Sequence, residues 1–390
     1  MTYRSAKRKL FFELLIMYPF VLVGKILGHL FPLKTKHKIF LLFPNADAGG
    51  SATVNLDILN CYKDLNPIII FTKKPKNNLF IEKYKHQPFK QIDFSKYIDY
   101  KIYHFVNFIF RGILATWINK QDAVLFSGEC MYFYKILPHV KRNILSVELS
   151  HLNTWMNYNI GFIDRIDKRV FSTEELKKKV EGQYRHNNLP AHFYEKLFFI
   201  DNTVDIPKYE LNENKKLQVY FIGRGVAQKR IYLIAAIAKN IYEKKLPVKF
   251  NFVGDVDKVI NIDEYPYCHF HGSIKDDARM NQVYREADVL LLTSAYEGLP
   301  MVVIQMMAHA KPIISTAVNG IPDYIEHMKN GLLIYTKDEA EIINEGTKFV
   351  ELLFQQSQLR IEMGMESRKI AVQRFSRGIF NKKYQELILK

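Results

Sequence analysis

Residues 289–316 constrain the fold more than any other stretch of this chain. Val289-Leu-Leu-Leu-Thr293 is a short apolar run with the length and composition of a buried strand. Ser294-Ala-Tyr-Glu297-Gly298-Leu299-Pro300-Met301 follows as a loop, Val302–Ala310 reads as a helix, and Pro312-Ile-Ile-Ser-Thr316 is a second apolar strand. A strand, loop, helix and strand in this order imply a parallel sheet covered by helices. Ligands of such open sheets bind at the carboxyl ends of the strands, where this loop sits. Gly298 allows a close backbone approach. Amides at the following helix start can bind hydroxyls or anionic oxygens. Glu297 can accept hydrogen bonds from a polar ligand, or serve as a first-turn carboxylate held by the helix dipole.

The same rhythm recurs along the chain. Lys38-Ile-Phe-Leu-Leu-Phe43 reads as a buried strand, Pro44–Ser51 as a turn containing Gly49 and Gly50, and Ala52–Tyr62 as a helix. Pro67–Thr72, Ala123–Ser127 and Asn143–Val147 continue the strand pattern, with a helix over Met131–His139. Arg169-Val-Phe-Ser-Thr173 precedes Glu174-Glu-Leu-Lys-Lys-Lys, a helix capped by Ser172 or Thr173. Residues 73–101 are basic and aromatic and give no assignable pattern. In the second half, Val219-Tyr-Phe-Ile-Gly223-Arg224-Gly225 leads through Lys229-Arg230 into a helix, Phe250-Asn-Phe-Val-Gly254-Asp255 is a strand ending, and Ala287-Asp288 enters the strand at 289.

Gly223-Arg224…Lys229, Val253-Gly254-Asp255, Ala287-Asp288 and Glu297…Gln305, in this order, resemble the nucleotide-binding half of retaining GT-B glycosyltransferases of family 4. The resemblance is specific over about residues 200–335. It implies two Rossmann-like α/β domains facing each other across a cleft, with a C-terminal helix returning to the first domain. The expected divisions are 1–37, a basic apolar leader; 38–203, an acceptor domain; 204–371, a nucleotide-sugar-binding domain; and 372–390, the returning helix. Leu197–Asp205 resembles the family's interdomain crossing, with Thr203 where glycine is usual.

The resemblance also assigns roles. Arg224 and Lys229 hold the leaving diphosphate, where arginine makes forked contacts and lysine acts as a point charge. Glu297 grips the transferred sugar, helped by amides around Gly298, Leu299, Pro300 and Met301. Gln305 stands where the family has a second glutamate on the ribose; it keeps an acceptor oxygen and loses the charge. A spacing of eight residues, two helical turns, allows Glu297 and Gln305 to face the same side. Gly223 borders the nucleotide, Gly49 and Gly50 form the first domain's loop opposite it, and His151 matches the family's active-site histidine by position. Retention implies front-face attack, with the departing phosphate taking the acceptor's proton. No cofactor and no metal are expected: Asp255-Val-Asp257 imitates a metal motif, but Asp255 already belongs to the strand ending.

The net charge of +16 bears on partners rather than fold. Residues 1–38 hold eight Lys/Arg and one acid, Glu13, a net of +7. Between the basic groups lies Leu10–Gly24, an apolar run broken by Glu13 and bounded by Lys25, short for a spanning helix. A membrane-surface helix over residues 5–31 meeting anionic headgroups fits this pattern; a helix packed on the first domain is the alternative. Cys61, Cys130 and Cys268 are scattered and odd in number, against a disulfide framework and in favour of a reducing cytoplasm. The expected partners are a UDP-, GDP- or ADP-sugar, a glycan or lipid-linked acceptor, and the inner face of the cell membrane. A silent GT-B scaffold, suggested by Gln305, is the competing reading. Nucleic-acid binding, suggested by charge and aromatics, lacks a motif.

Overall fold

The computed structural model describes residues 2–47, 49–77, 80–99, 104–151, 156–210, 214–297 and 300–389. The chain forms two compact units, residues 1–200 with 381–390, and residues 201–380.

The first unit begins with α1 (Tyr3–Leu30). It continues through β1 (Ile39–Phe43), α2 (Gly50–Cys61), β2 (Ile68–Phe71), α3 (Ile81–Lys85), β3 (Lys90–Asp93), α4 (Ser95–Ile98) and α5 (His104–Gln121). Then come β4 (Val124–Gly128), α6 (Met131–Ile136), β5 (Ser146–Ser150), α7 (Met156–Asn159), β6 (Lys168–Phe171), α8 (Glu174–His186) and β7 (Leu197–Phe199). All seven strands pair in parallel, in the order β3-β2-β1-β4-β5-β6-β7. β1 is buried along its whole length, which is why it reads as a continuous apolar run. Thr173, not Ser172, caps α8 by accepting from the Leu176 amide at 3.2 Å.

Several elements within residues 81–121 carry no sequence assignment, β3 and α5 among them. β3, Lys-Gln-Ile-Asp, is an edge strand with exposed ends that, among the described residues, pairs with β2 alone, so it needs no apolar run. α5 is an aromatic helix, and α1 packs along it with backbones touching. A Cβ on Gly24 would lie 1.9 Å from the Ile109 carbonyl oxygen, and one on Gly112 2.2 Å from that of Val21. Lys7 pairs with Asp164 at 2.6 Å, and the Tyr3 amide donates to Asn187. The inner face of α1 is therefore part of the first unit rather than a detachable leader.

The second unit contains β8 (Leu217–Ile222), α9 (Ile231–Glu243), β9 (Val248–Val253), β10 (His269–Gly272), α10 (Asp277–Glu286), β11 (Val289–Leu292) and α11 (Met301–Ala308). It ends with β12 (Ile313–Thr316), β13 (Gly331–Ile334), α12 (Glu339–Gln355), α13 (Ser357–Phe375) and the start of α14 (Arg377–Leu389). Its six strands are also parallel, ordered β10-β9-β8-β11-β12-β13. The strand order of both sheets thus reverses between their first and fourth strands in chain order, and such a switch point is where α/β sheets hold ligands.

Thr203 explains its own departure from glycine: its hydroxyl donates to the Phe375 carbonyl at 2.8 Å, and the Val204 amide donates to the same oxygen. Asp201 receives Arg374 at 3.0 Å. Beyond Phe380, α14 joins the first unit. Tyr384 is buried against Phe126 and Tyr62, and the Tyr62 hydroxyl donates to the Tyr384 carbonyl at 2.9 Å.

Candidate active site at the switch point of the second sheet

The loops after β8 and β11 leave the sheet on either side of the switch point and are bound to each other. The Ala295 amide donates to the Gln228 carbonyl at 2.8 Å, and the Gln228 side chain donates to the Tyr296 carbonyl at 2.7 Å. Arg230, at φ 45°, donates to the carbonyls of Thr293 and Ser294, while the Thr293 hydroxyl donates back to the carbonyls of Lys229 and Arg230. Arg230 is therefore spent on holding the loops together rather than on a ligand.

The turn after β8 also abuts the turn after β9. The Gly225 amide donates to Asp255 at 2.8 Å, and the Gly223 amide to the Val253 carbonyl at 2.9 Å. Gly254 has φ +134°, and a Cβ there would lie 1.8 Å from the Gly223 carbonyl oxygen. A Cβ on Gly225 would lie equally close, 1.8 Å, to the Asp255 carbonyl oxygen, whereas one on Gly223 would meet only the Phe221 ring at 3.1 Å. Gly225, absent from the sequence assignment, is thus the glycine this turn needs. The Gly225 amide, followed by Lys258, holds the Asp255 carboxyl down to about 2. Asp255 is a turn anchor, which accounts for the Asp255-Val-Asp257 imitation of a metal motif.

Arg224 projects from this turn, its side chain exposed and without a hydrogen bond or ion pair among the described residues. Lys229 is mostly buried and its ammonium contacts the Glu297 carboxylate. Ser294 donates its hydroxyl to the same carboxylate at 2.6 Å, and the Glu297 amide donates to the Asn319 side chain at 3.2 Å. Glu297 is thereby held at three points: its carboxylate by a cation and a hydroxyl, its backbone by an amide oxygen. Ser294 and Asn319 carry no motif that marks them in the sequence; Asn319 at φ 47° takes the left-handed backbone that asparagine tolerates.

Gly298 and Leu299 lie outside the described residues. Pro300 precedes α11, which starts at Met301. Glu297 therefore sits in the loop and only Gln305 on the helix, so the eight-residue spacing is loop plus one turn rather than two helical turns. The Gln305 amide is part-exposed and has no side-chain hydrogen bond among the described residues.

In the first unit, Gly49 and Gly50 follow β1 at that sheet's own switch point, where α2 begins. Gly49 is extended, and a Cβ there would meet nothing within 4 Å. The protein's own packing does not demand glycine at this position; the open space is available to something else. His151 follows β5, one strand away. Its Nε2 is sealed from solvent without a hydrogen-bond partner among the described residues, and burial pulls its pKa down to about 4. It is a neutral imidazole near pH 7. Residues 152–155 beside it lie outside the described residues.

Residues 216–351 match the family model for glycosyl transferases group 1. That segment spans every candidate residue of the second sheet. The chain is a glycosyltransferase of the GT-B fold. An uncharacterised glycosyltransferase of Haemophilus influenzae is 22% identical over 84% of this chain and 93% of its own length. The capsular polysaccharide biosynthesis glycosyltransferase CapM of Staphylococcus aureus is 26% identical over 47% of this chain and 48% of its own length. Among solved structures, Anabaena HepE in complex with UDP superposes with a TM-score of 0.72 at 15% identity, covering 90% of this chain and 99% of HepE. The lipopolysaccharide outer core galactosyltransferase WaaB superposes with a TM-score of 0.68 at 16% identity, covering 90% and 99%.

Proposed function

We propose that this chain is a retaining glycosyltransferase that moves a sugar from a nucleoside-diphosphate donor to a cell-envelope glycan or a lipid-linked acceptor. The observation that carries this reading is the arrangement of Arg224, Lys229 and Glu297 on two bound loops at the switch point of one sheet. HepE was solved with UDP and with UDP-glucose, which makes UDP the first base to test. Relatives named for capsule and O-antigen biosynthesis support an envelope acceptor. The proposed compartment is the cytoplasm, in keeping with three free, buried cysteines.

The chemistry asks for charge stabilisation at the leaving group. The bond from the anomeric carbon to the donor phosphate breaks, its electron pair stays on the diphosphate, and the acceptor hydroxyl bonds to the same face of that carbon. A phosphate oxygen takes the hydroxyl's proton. Arg224 has an uncommitted guanidinium for the diphosphate. Lys229 reaches the phosphates by exchanging the Glu297 carboxylate for them, which frees that carboxylate to accept from sugar hydroxyls. Such preorganised cations act most strongly where charge develops in the transition state. Gln305, with its amide uncommitted, is assigned to the ribose.

Thermal stabilisation and donor hydrolysis with UDP-, GDP- and ADP-sugars test the reading, because a ligand of the native state raises apparent stability. Arg224→Ala and Lys229→Ala should each lower transfer about a hundredfold or more. Glu297→Ala should impair transfer while UDP binding persists. Absence of stabilisation by every donor series points instead to a silent scaffold.

A further inference from the structure

Helix α1 has two unlike faces. The inner face meets α5 through Val21, Gly24 and Gly28, where a Cβ on Gly28 would lie 2.8 Å from the Thr116 Cβ. Glu13 lies on this side, 4.0 Å from the buried Arg111. The outer face carries Phe12, Leu15, Ile16, Val23, Ile26 and Leu30, all exposed; Ile16 is 74% exposed and Leu30 66%. At helical spacing these six form one continuous stripe. Arg4, Arg8 and Lys9 are exposed in the turns before it, and Lys34 and Lys36 just after it. None of these five has an acidic partner among the described residues.

We infer that this stripe docks on an anionic lipid bilayer, with α1 lying in the interfacial plane and half embedded. Apolar side chains enter the acyl boundary while the basic groups at both ends meet headgroup phosphates. Charge selects this occupant over a second copy of the chain, because two such stripes laid together set cations against cations at both ends. Contrary to the expectation from the interrupted Leu10–Gly24 run, the whole helix is long and apolar enough to cross a bilayer by length and composition. Crossing, however, requires α1 to leave α5, which exposes the glycine seam and strands Glu13 and Arg111. Close backbone contact instead fixes the stripe to the first unit, so docking sets that unit's orientation. The inference is independent of the sugar-transfer reading: donor binding and vesicle binding can each fail alone.

The test is flotation of the full chain with phosphatidylcholine vesicles, with and without phosphatidylglycerol. Binding should require the anionic lipid and weaken with salt. Leu15→Asp/Ile16→Asp/Ile26→Asp should lower vesicle partition about a hundredfold or more, since each loses the burial of a large apolar side chain. The replaced side chains are exposed, so the unfolding midpoint and donor stabilisation should stay at parent values. Ile16→Trp places a reporter at the stripe's centre; lipids brominated near the headgroup end of the acyl chain should quench its added fluorescence more than lipids brominated near the tail end. The inference is overturned by a parent that ignores anionic vesicles, by a triple variant that floats like the parent, by stronger quenching from the tail end, which marks a spanning helix, or by a dimer that the triple substitution disperses without any vesicle binding.

Discussion

Gly225→Ala tests whether the turn after β8 is built on backbone contact with the turn after β9. The added Cβ starts 1.8 Å from the Asp255 carbonyl oxygen, 2.6 Å from its carbonyl carbon and 3.2 Å from the Val256 Cα. Side-chain carbons essentially never come within 3.0 Å of such atoms, so the two turns must part by at least 3.0 − 1.8 = 1.2 Å. All the obstructing atoms are backbone, and no side chain can rotate away. Overpacking of this kind costs about 1–3 kcal/mol. For a unit of this size that is a fall of about 2–12 °C in Tm. The same displacement moves Arg224, the adjacent residue, and a shift of about 1 Å at a positioned group costs roughly a hundredfold in rate. The Gly225 amide also loses its bond to Asp255. Gly223→Ala is the control: its Cβ meets only the far edge of the Phe221 ring at 3.1 Å, so stability should change little. Thermal unfolding with and without UDP, together with a transfer assay, reads both variants. A Gly225→Ala protein with parent Tm and parent transfer rate would refute the reasoning, as would equal falls in Tm from Gly223→Ala and Gly225→Ala.

Removing one partner of the Lys229–Glu297 pair leaves a mostly buried charge, so Lys229→Met should cost about 2–3 kcal/mol, and Lys229→Met/Glu297→Gln less than the two single losses combined; a double-mutant cycle in denaturant measures the coupling. His151 should make stability pH-dependent. Its pKa falls on folding from 6.5 to about 4, so its contribution is complete above 6.5 and is lost as pH falls toward 4, by about 3 kcal/mol in all; comparing His151→Gln with the parent across that window shows the difference. Gln305→Glu should keep or improve UDP binding by isothermal titration if this side chain meets the ribose.

Legibility followed burial. β11 and β12 were readable because both faces of each strand are buried and the residues form unbroken apolar runs. β3 was not, because an edge strand with Lys90 and Asp93 exposed draws its identity from pairing with β2. Arg224, Lys229 and Glu297 stood out as candidates because charged groups have few other reasons to sit at strand ends. Their supports were not, since Ser294, Asn319 and Gly225 act through hydrogen bonds and clearances set by neighbouring strands. The placement of Arg230 shows the converse: a cation beside a proposed phosphate site, consumed by two carbonyl oxygens.

The passage of α14 back onto the first unit has a consequence for synthesis. Phe126 and Tyr62 leave the ribosome early, yet the ring that completes their packing belongs to Tyr384. Between Ile200 and Asn381 lies the whole of the second unit. At about 5–20 residues per second, that interval lasts roughly 10–40 s. Through it the nascent first unit carries an unfilled aromatic slot, a candidate binding place for a chaperone. The half of the molecule made first is thus the half finished last.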